Sequence, residues 1–277
     1  MHTTHSLLLA TLLAAHHASA HGVVTMIRGA NGVDMPGLSV ADGTPRDCSS
    51  NRCGSQADTA IIRDREIRAG TVGPLGRTQG NGPIDAATMV ANFMGSGAAP
   101  SNNGANSSVG VEDNIPASGA GNNNNNNNNR PATEVNVAAT RGEGAASGLP
   151  TCGDDGSIEM VFHQDGAGPL TASVDATSGG TEESAFQTAE VTQDVPGFGI
   201  QGLSLATSQD FPLTVQMPAG MTCEGTVGGV QNVCVVRVRN GAAAGPFGGS
   251  AAFTQSPAAR RRAVAYRLKR RALGVKA

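Results

Sequence analysis

The chain has 277 residues, a formal net charge of −3 and 38 glycines, with one tyrosine and no tryptophan. This length allows one large β domain or two small domains with a substantial hydrophobic core. All 22 acidic residues precede residue 256, whereas eight of the 19 basic residues follow it, so the rest of the chain carries a formal charge of −11. An acidic body of this kind excludes a nucleic-acid-binding domain.

Residues 1–20 have the pattern of a secretory signal peptide. An apolar run at 7–15 leads into Ala18-Ser19-Ala20, a small-residue cleavage pattern. Cleavage after Ala20 would leave His21 as the first residue and would deliver the protein to an oxidising, extracellular environment. No later apolar run is long enough to span a bilayer, so we expect a secreted protein without a transmembrane segment.

Two of the six histidines, His21 and His163, would remain after this cleavage. An N-terminal histidine offers a metal both its α-amine and its imidazole, and His163 offers a third nitrogen. Amine and imidazole ligands in a tetragonal arrangement suit a cupric ion. The sequence therefore predicts a copper site at His21 and His163. A hydrogen-bonded structural histidine at 163 is the alternative.

Short apolar and β-branched runs lie between clusters of Gly, Pro, Asn and Asp. This pattern predicts an all-β fold, a β-sandwich of short strands with long Gly- and Asn-rich loops and one short helix. The clearest strand covers 158–164, where Ile158, Met160 and Phe162 share one face. Residues 170–174 are predicted as its hairpin partner. Further strands are predicted at 22–28, 199–205, 211–216, 232–239 and 250–255.

A helix is predicted at 85–94, because Asp85 is a favourable N-cap and Gly95 suits a C-terminal stop. The stretch from about 96 to 148 contains the sequon asparagine Asn106, a predicted glycosylation site, and eight consecutive asparagines at 122–129. Such a composition buries too little apolar area to offset chain entropy, so it predicts a disordered insertion in a single domain covering 21–255. Residues 256–277 are predicted as a basic flexible tail, with a binding arm as the alternative.

The five cysteines leave one unpaired if all disulfides are intramolecular. Two local bridges, Cys48–Cys53 and Cys223–Cys234, are the most economical pairing and would leave Cys152 free. Spacing alone does not fix this connectivity. The cysteine pairs lack C-x-x-C spacing and a nearby histidine, which argues against a zinc site.

The C-terminal half contains a set of motifs that resembles a known family. These motifs are His163-Gln164, the turn at 165–169, Asp210-Phe211-Pro212-Leu213, the segment 216–223, the Gly-rich segment 225–229, the segment 232–237 and the segment 244–249. Together they resemble the Egh-like fungal virulence factors, also called Gas or Mas proteins. The resemblance implies a secreted protein associated with appressoria, the infection structures of fungal pathogens, and it implies no particular reaction.

The pair His21 and His163 also resembles the histidine brace of the lytic polysaccharide monooxygenases. That resemblance implies one copper ion on a β-sandwich, with Phe253 or Phe247 on the axial side and Gln164 or Glu159 as an outer partner. Those enzymes present aromatic side chains to polysaccharide, whereas this body lacks Trp and Tyr. We therefore assign no catalytic residue.

Three classes of function follow from these features. The first is a secreted virulence or surface-interaction protein with a copper site at its N-terminus. The second is a copper-dependent oxidase of cell-wall polysaccharide, and the third is a non-catalytic structural protein or adhesin of the cell wall. Host or fungal cell-wall polysaccharide is the expected partner, and the sequence does not set an oligomeric state.

Overall fold

The computed structural model describes residues 21–41, 58–79, 82–97, 136–165, 168–197 and 209–274. The strands are β1 His21–Arg28, β2 Asp34–Pro36, β3 Ala60–Ile61, β4 Arg77–Thr78, β5 Gly82–Pro83, β6 Ser157–Asp165, β7 Thr171–Asp175, β8 Phe186–Gln193, β9 Gln209–Gln216, β10 Gly225–Val227, β11 Val230–Arg239 and β12 Phe247–Thr254. The helices are α1 Asp64–Arg68, α2 Ala86–Phe93, α3 Gly144–Ser147 and α4 Pro257–Ala272, with a 3₁₀ turn at Glu183–Ala185. The predicted all-β class is confirmed.

The strands form one curled antiparallel sheet. Their order is β2-β1-β6-β9-β8-β7-β11-β12-β3-β4-β5, and β10 pairs with β11. Strand β8 forms the corner, since its first half pairs with β7 and its second half with β9. The curl brings β1 onto β12, where a side chain at Gly249 would lie 2.7 Å from the backbone nitrogen of Val24. The sheet thereby packs against itself like a sandwich around a main core, with a small separate cluster of Ile61, Ala242 and Phe247.

Strand β6 has the predicted alternation of buried and exposed residues. Ile158, Met160 and Phe162 are at most 2% exposed, whereas Glu159 on the other face is exposed. The predicted hairpin partner at 170–174 is wrong, because β7 pairs with β8 and β11. The Leu170 amide donates to the Asp194 carboxylate at 3.0 Å. This contact ties the start of β7 to the segment that follows β8.

Other predicted elements agree with the structure. Strands β1, β9, β11 and β12 match their predictions within a few residues, and the predicted strand at 199–205 lies outside the described residues. Asp85 caps α2 by accepting a hydrogen bond from the Ala87 amide at 2.9 Å. Gly95 has a φ of +85° just beyond the last turn, a conformation that favours glycine at a helix C-terminus.

The segment after residue 255 differs from the predicted flexible tail, because most of it is helix α4. Ser256 provides the N-cap and Pro257 occupies the first turn, a combination that favours helix initiation. Ala259 and Ala263 are 5% and 8% exposed and pack on the body. Among the described residues, no helix has the length and apolarity needed to cross a bilayer.

The second half of the predicted insertion is partly ordered. Val137 is fully buried, and its amide donates to the Val40 carbonyl at 2.9 Å. Helix α3 follows at Gly144–Ser147. The signal segment, Asn106 and the asparagine run lie outside the described residues.

The predicted disulfide between Cys223 and Cys234 is confirmed. It joins the residue two before β10 to the middle of β11 and so closes the β10–β11 hairpin. Cys152 is a free, buried thiol, and burial raises its pKa. Cys48 and Cys53 lie outside the described residues, so their pairing stays a prediction.

Candidate functional site

The pairing of β1 with β6 places His21 and His163 on one face of the sheet. His21 lies opposite Asp165 and Val23 lies opposite His163 in this antiparallel pair. Since side chains alternate along a strand, His21, Val23 and His163 point to the same side. His21 and His163 are diagonal neighbours, a relation that sets Cβ atoms about 7–8 Å apart or slightly closer. The fold therefore joins two residues that are far apart in the sequence.

His163 is held by a carboxylate from the strand on its other side. Strand β9 pairs with β6 so that Asp210 lies opposite His163, and the Nδ1 of His163 is 2.7 Å from Oδ1 of Asp210. An ionised carboxylate only accepts hydrogen bonds, so Nδ1 of His163 is the donor in this contact. In the neutral ring Nε2 then carries a lone pair. This arrangement is common for histidines that bind metals, whose second nitrogen donates to a carboxylate or carbonyl.

The ring of His21 contacts the ring of Phe247. The two ring centroids are 4.2 Å apart and the rings are tilted by 32°. Phe247 is 1% exposed and begins β12. Of the two phenylalanines predicted for the axial position, Phe247 is therefore the neighbour of His21. Phe253 lies six residues further along β12, a rise of about 20 Å, where it is fully buried opposite Cys234.

The two predicted outer partners on β6 differ in their positions. Glu159 is four residues from His163, a rise of about 13 Å along the strand, where it lies opposite Arg28 and Thr214. It is therefore not a neighbour of the imidazole. Gln164 follows His163 directly in β6, and its side chain lies outside the described residues.

A largely buried ion-pair network supports the loop that leads to Phe247. Arg63 donates to Glu66 and to the Ala244 carbonyl at 3.0 and 2.9 Å, and Arg77 donates to the other oxygen of Glu66 at 3.0 Å. Burial opposes ionisation of Glu66, yet the hydrogen bonds from both arginines lower its pKa. Because β3 also pairs with Phe247 through Ile61, this network fixes the wall beside His21.

The described side chains at this place supply two imidazole nitrogens and no further ligand cluster. Within the described ranges no group of three His, Cys, Asp or Glu side chains could hold a metal ion. A third nitrogen would be the α-amine of His21, which becomes free only when the bond after Ala20 is cut. The donor set of one amine and two imidazoles fits a cupric ion, provided that this cleavage occurs.

Among the described residues, the surroundings of the two histidines contain no exposed aromatic platform. Among the residues that the structure describes, Tyr266 on α4 is the exposed aromatic side chain. The ring nearest to His21 belongs to Phe247, which is buried. Sequence reasoning missed Asp210 as the partner of His163, because the two residues are 47 positions apart. The motif Asp210-Phe211-Pro212-Leu213, which contributes to the family resemblance, was the available signal that Asp210 could matter.

The comparisons with known proteins agree over nearly the whole chain. A family model described as Egh16-like virulence factor matches residues 19–248. The appressoria-specific virulence factor GAS2 of Pyricularia oryzae is 53% identical over 277 residues, covering 96% of this chain and 94% of that protein. The appressoria-specific virulence factor GAS1 of the same organism is 31% identical over 272 residues, covering 96% and 85%. No solved structure matches. The chain belongs to the Egh16-like virulence factor family.

Proposed function

We propose that the mature protein is a secreted virulence factor that binds one copper ion through His21 and His163. The amine and imidazole of His21 would supply two nitrogens, and Nε2 of His163 would supply the third. The observation that carries the proposal is the register of β1, β6 and β9. It sets the histidines on one sheet face and gives His163 a carboxylate partner at Nδ1.

Each residue has a distinct part in the proposed site. Asp210 orients the His163 ring and keeps the Nδ1 proton away from the ligand position. Phe247 packs against the His21 ring and limits its rotation. Bound copper would supply redox chemistry. Alternatively, the protein would serve only to capture the metal. Its affinity would fall in acid, because protons compete for the amine and the imidazoles.

A role in surface interaction or metal capture fits the site better than efficient oxidation of crystalline polysaccharide. Aromatic stacking against sugars needs exposed rings, and the described surface offers Tyr266 on α4 alone. Hydrogen bonds from polar side chains remain, but water competes with them. A copper-dependent polysaccharide oxidase is the second candidate, favoured by the resemblance of the two histidines to a histidine brace. A structural cell-wall protein is the reading that follows if no copper binds.

The test measures copper affinity of protein whose N-terminus is verified as His21, by competition with a chelator and by electron paramagnetic resonance. His163→Ala should weaken binding at least about tenfold and alter the nitrogen hyperfine pattern, because one of three nitrogens is lost. Glu159→Ala is the matched control, since it changes the same face of β6 about 13 Å away. It should bind copper as the parent does.

Two results would separate the remaining candidates. If His163→Ala and the parent bind copper equally, His163 is not a ligand and the proposed site is wrong. If the parent releases oxidised oligosaccharides from chitin or cellulose with a reductant, whereas His163→Ala does not, the protein is a polysaccharide oxidase.

A further inference from the structure

Helix α4 is fixed to the body by one of its sides. Ala259 and Ala263 are buried there. The Ser256 hydroxyl donates to the Asp154 carboxylate at 2.7 Å and accepts a hydrogen bond from the Ala259 amide at 3.1 Å. Arg260 donates to the Cys223 carbonyl at 3.3 Å. These contacts set which side of the helix faces outward.

Basic residues that flank the buried side strengthen the attachment. Arg260 also donates to Asn232 at 3.0 Å, and Arg262 donates to the Asp154 carbonyl at 3.3 Å. Arg267 lies 3.9 Å from the Glu224 carboxylate. Part of the positive charge of α4 is thus engaged with the acidic body.

The opposite side of α4 combines apolar and basic side chains. Arg261, Val264, Leu268 and Arg271 recur at spacings of three and four residues and so lie along one side of the helix. We name these four residues the outer face of α4. All four are exposed, and the Leu268 side chain is 59% exposed.

Exposed apolar side chains are concentrated on this helix. The large hydrophobic residues that are exposed in the described part of the chain are Val264, Tyr266, Leu268 and Leu273, and all four lie on α4 or at its C-cap. No acidic residue occurs from 256 to 277, where eight basic residues lie. Within the described residues, an exposed surface that is both aliphatic and cationic is therefore found on this one element.

We propose that the outer face of α4 docks onto an anionic lipid surface. Guanidinium groups are attracted to anionic headgroups, and Val264 and Leu268 can enter the boundary with the acyl chains. Aliphatic side chains favour lipid over polysaccharide or nucleic acid, which bind aromatic rings and polar groups instead. The body, with its formal charge of −11, would be repelled by such a surface. The protein would therefore lie on the membrane through α4 alone.

The test measures co-sedimentation of the mature protein with vesicles. One set contains phosphatidylcholine alone and the other contains phosphatidylcholine with roughly one third phosphatidylserine. Binding should be restricted to the anionic vesicles and should fall as salt is raised, because salt screens exposed charges. R261E/R271E should reduce the partition coefficient at least about tenfold.

Matched variants separate the two contributions of the outer face. R28E/R68E makes the same change in net charge on the body and should leave vesicle binding nearly unchanged. L268Q removes an apolar side chain without removing charge and should weaken binding about three- to tenfold, whereas L268M should retain it. Circular dichroism of each variant verifies that α4 is folded.

Three results would overturn the proposal. The first is equal binding to both kinds of vesicle, or to neither. The second is unchanged binding of R261E/R271E. The third is binding to a soluble acidic polysaccharide, or self-association in sedimentation velocity, that depends on the outer face while vesicle binding does not.

Discussion

Two aspartates with opposite surroundings mark two regions of this molecule. Asp175, at the end of β7, is fully buried and accepts hydrogen bonds from three backbone amides and two hydroxyl groups. Its partners all belong to the loop that follows it, residues 177–180. Asp210 has a side chain that is 63% exposed and contacts the ring of His163 at 2.7 Å.

The different surroundings of Asp175 and Asp210 indicate that the same type of side chain has a different role in each region. At Asp175 the carboxylate organises a loop, so its removal would leave buried donors without acceptors. At Asp210 the carboxylate meets water and orients an imidazole whose other nitrogen is available. The first region stabilises the fold, and the second contains the proposed copper site. Replacing each aspartate by asparagine therefore tests whether the two carboxylates have these different roles.

Asp175→Asn should have the largest effect on stability. The amide nitrogen of Asn would face buried donors, so we expect a loss of about 3–4 kcal/mol in the free energy of unfolding. Urea unfolding followed by circular dichroism measures this loss. Copper affinity of the folded variant should equal that of the parent. A loss below about 1 kcal/mol would show that the loop reorganises without its carboxylate.

The loss of stability in acid should reveal the contribution of the Asp175 carboxylate. Burial disfavours its charge, but hydrogen bonds from Ser178, Thr177 and Gly180 lower the pKa of Asp175 below its ordinary value. The lowered pKa adds stability that is fully present above about pH 4 and is lost as the pH falls through the folded-state pKa. Urea midpoints from pH 5 down to pH 2 should therefore fall more steeply for the parent than for Asp175→Asn. Equal slopes would contradict this assignment.

The disulfide beside this loop should have the next largest effect. The amides of Glu224 and Gly225 donate to the Ala176 carbonyl, so the Cys223–Cys234 hairpin packs on the Asp175 loop. C223S/C234S should lower the free energy of unfolding by about 2–3 kcal/mol, as expected for a loop of this length. Copper binding should not change. Weaker copper binding by the folded variant would mean that the two regions are coupled.

Asp210→Asn should weaken copper binding and leave the stability of the fold nearly unchanged, the reverse of the effect expected for Asp175→Asn. Because the side chain is exposed and its pairing is open to water, stability should change by less than about 1 kcal/mol. Copper affinity should fall about tenfold or more, since the outer partner of a ligand histidine sets its orientation and basicity. Chelator competition and urea unfolding on one preparation give both numbers. Unchanged affinity together with a large loss of stability would make His163–Asp210 a structural pair.

Local features of the fold could be predicted from the sequence. The alternation at 158–164 gives β6, and Asp85 with Gly95 marks both ends of α2. The partner of β7 could not be predicted, because it depends on contacts such as that between Leu170 and Asp194, which are distant in sequence. Helix α4 was missed because its charge suggested a solvated tail. Its two buried alanines are weak signals in a run of arginines.

The candidate site could be predicted in part. The residue types identified His21 and His163, since a terminal amine beside an imidazole is an unusual donor pair. Their positions on one face depend on the register of β1 with β6, which is a tertiary property. Neither Asp210 nor the choice of Phe247 over Phe253 follows from spacing, because each depends on which strands become neighbours.

The proposed copper site requires the α-amine of His21, which cleavage after Ala20 would free. The most direct test compares copper affinity of the mature protein with that of a form carrying one additional glycine before His21. The additional residue moves the α-amine away from the His21 imidazole but leaves both histidines in place. Copper affinity should fall at least about a hundredfold and the nitrogen hyperfine pattern should change, because a chelating ligand is lost. Equal affinity and identical spectra for the two forms would show that the α-amine of His21 is not a copper ligand.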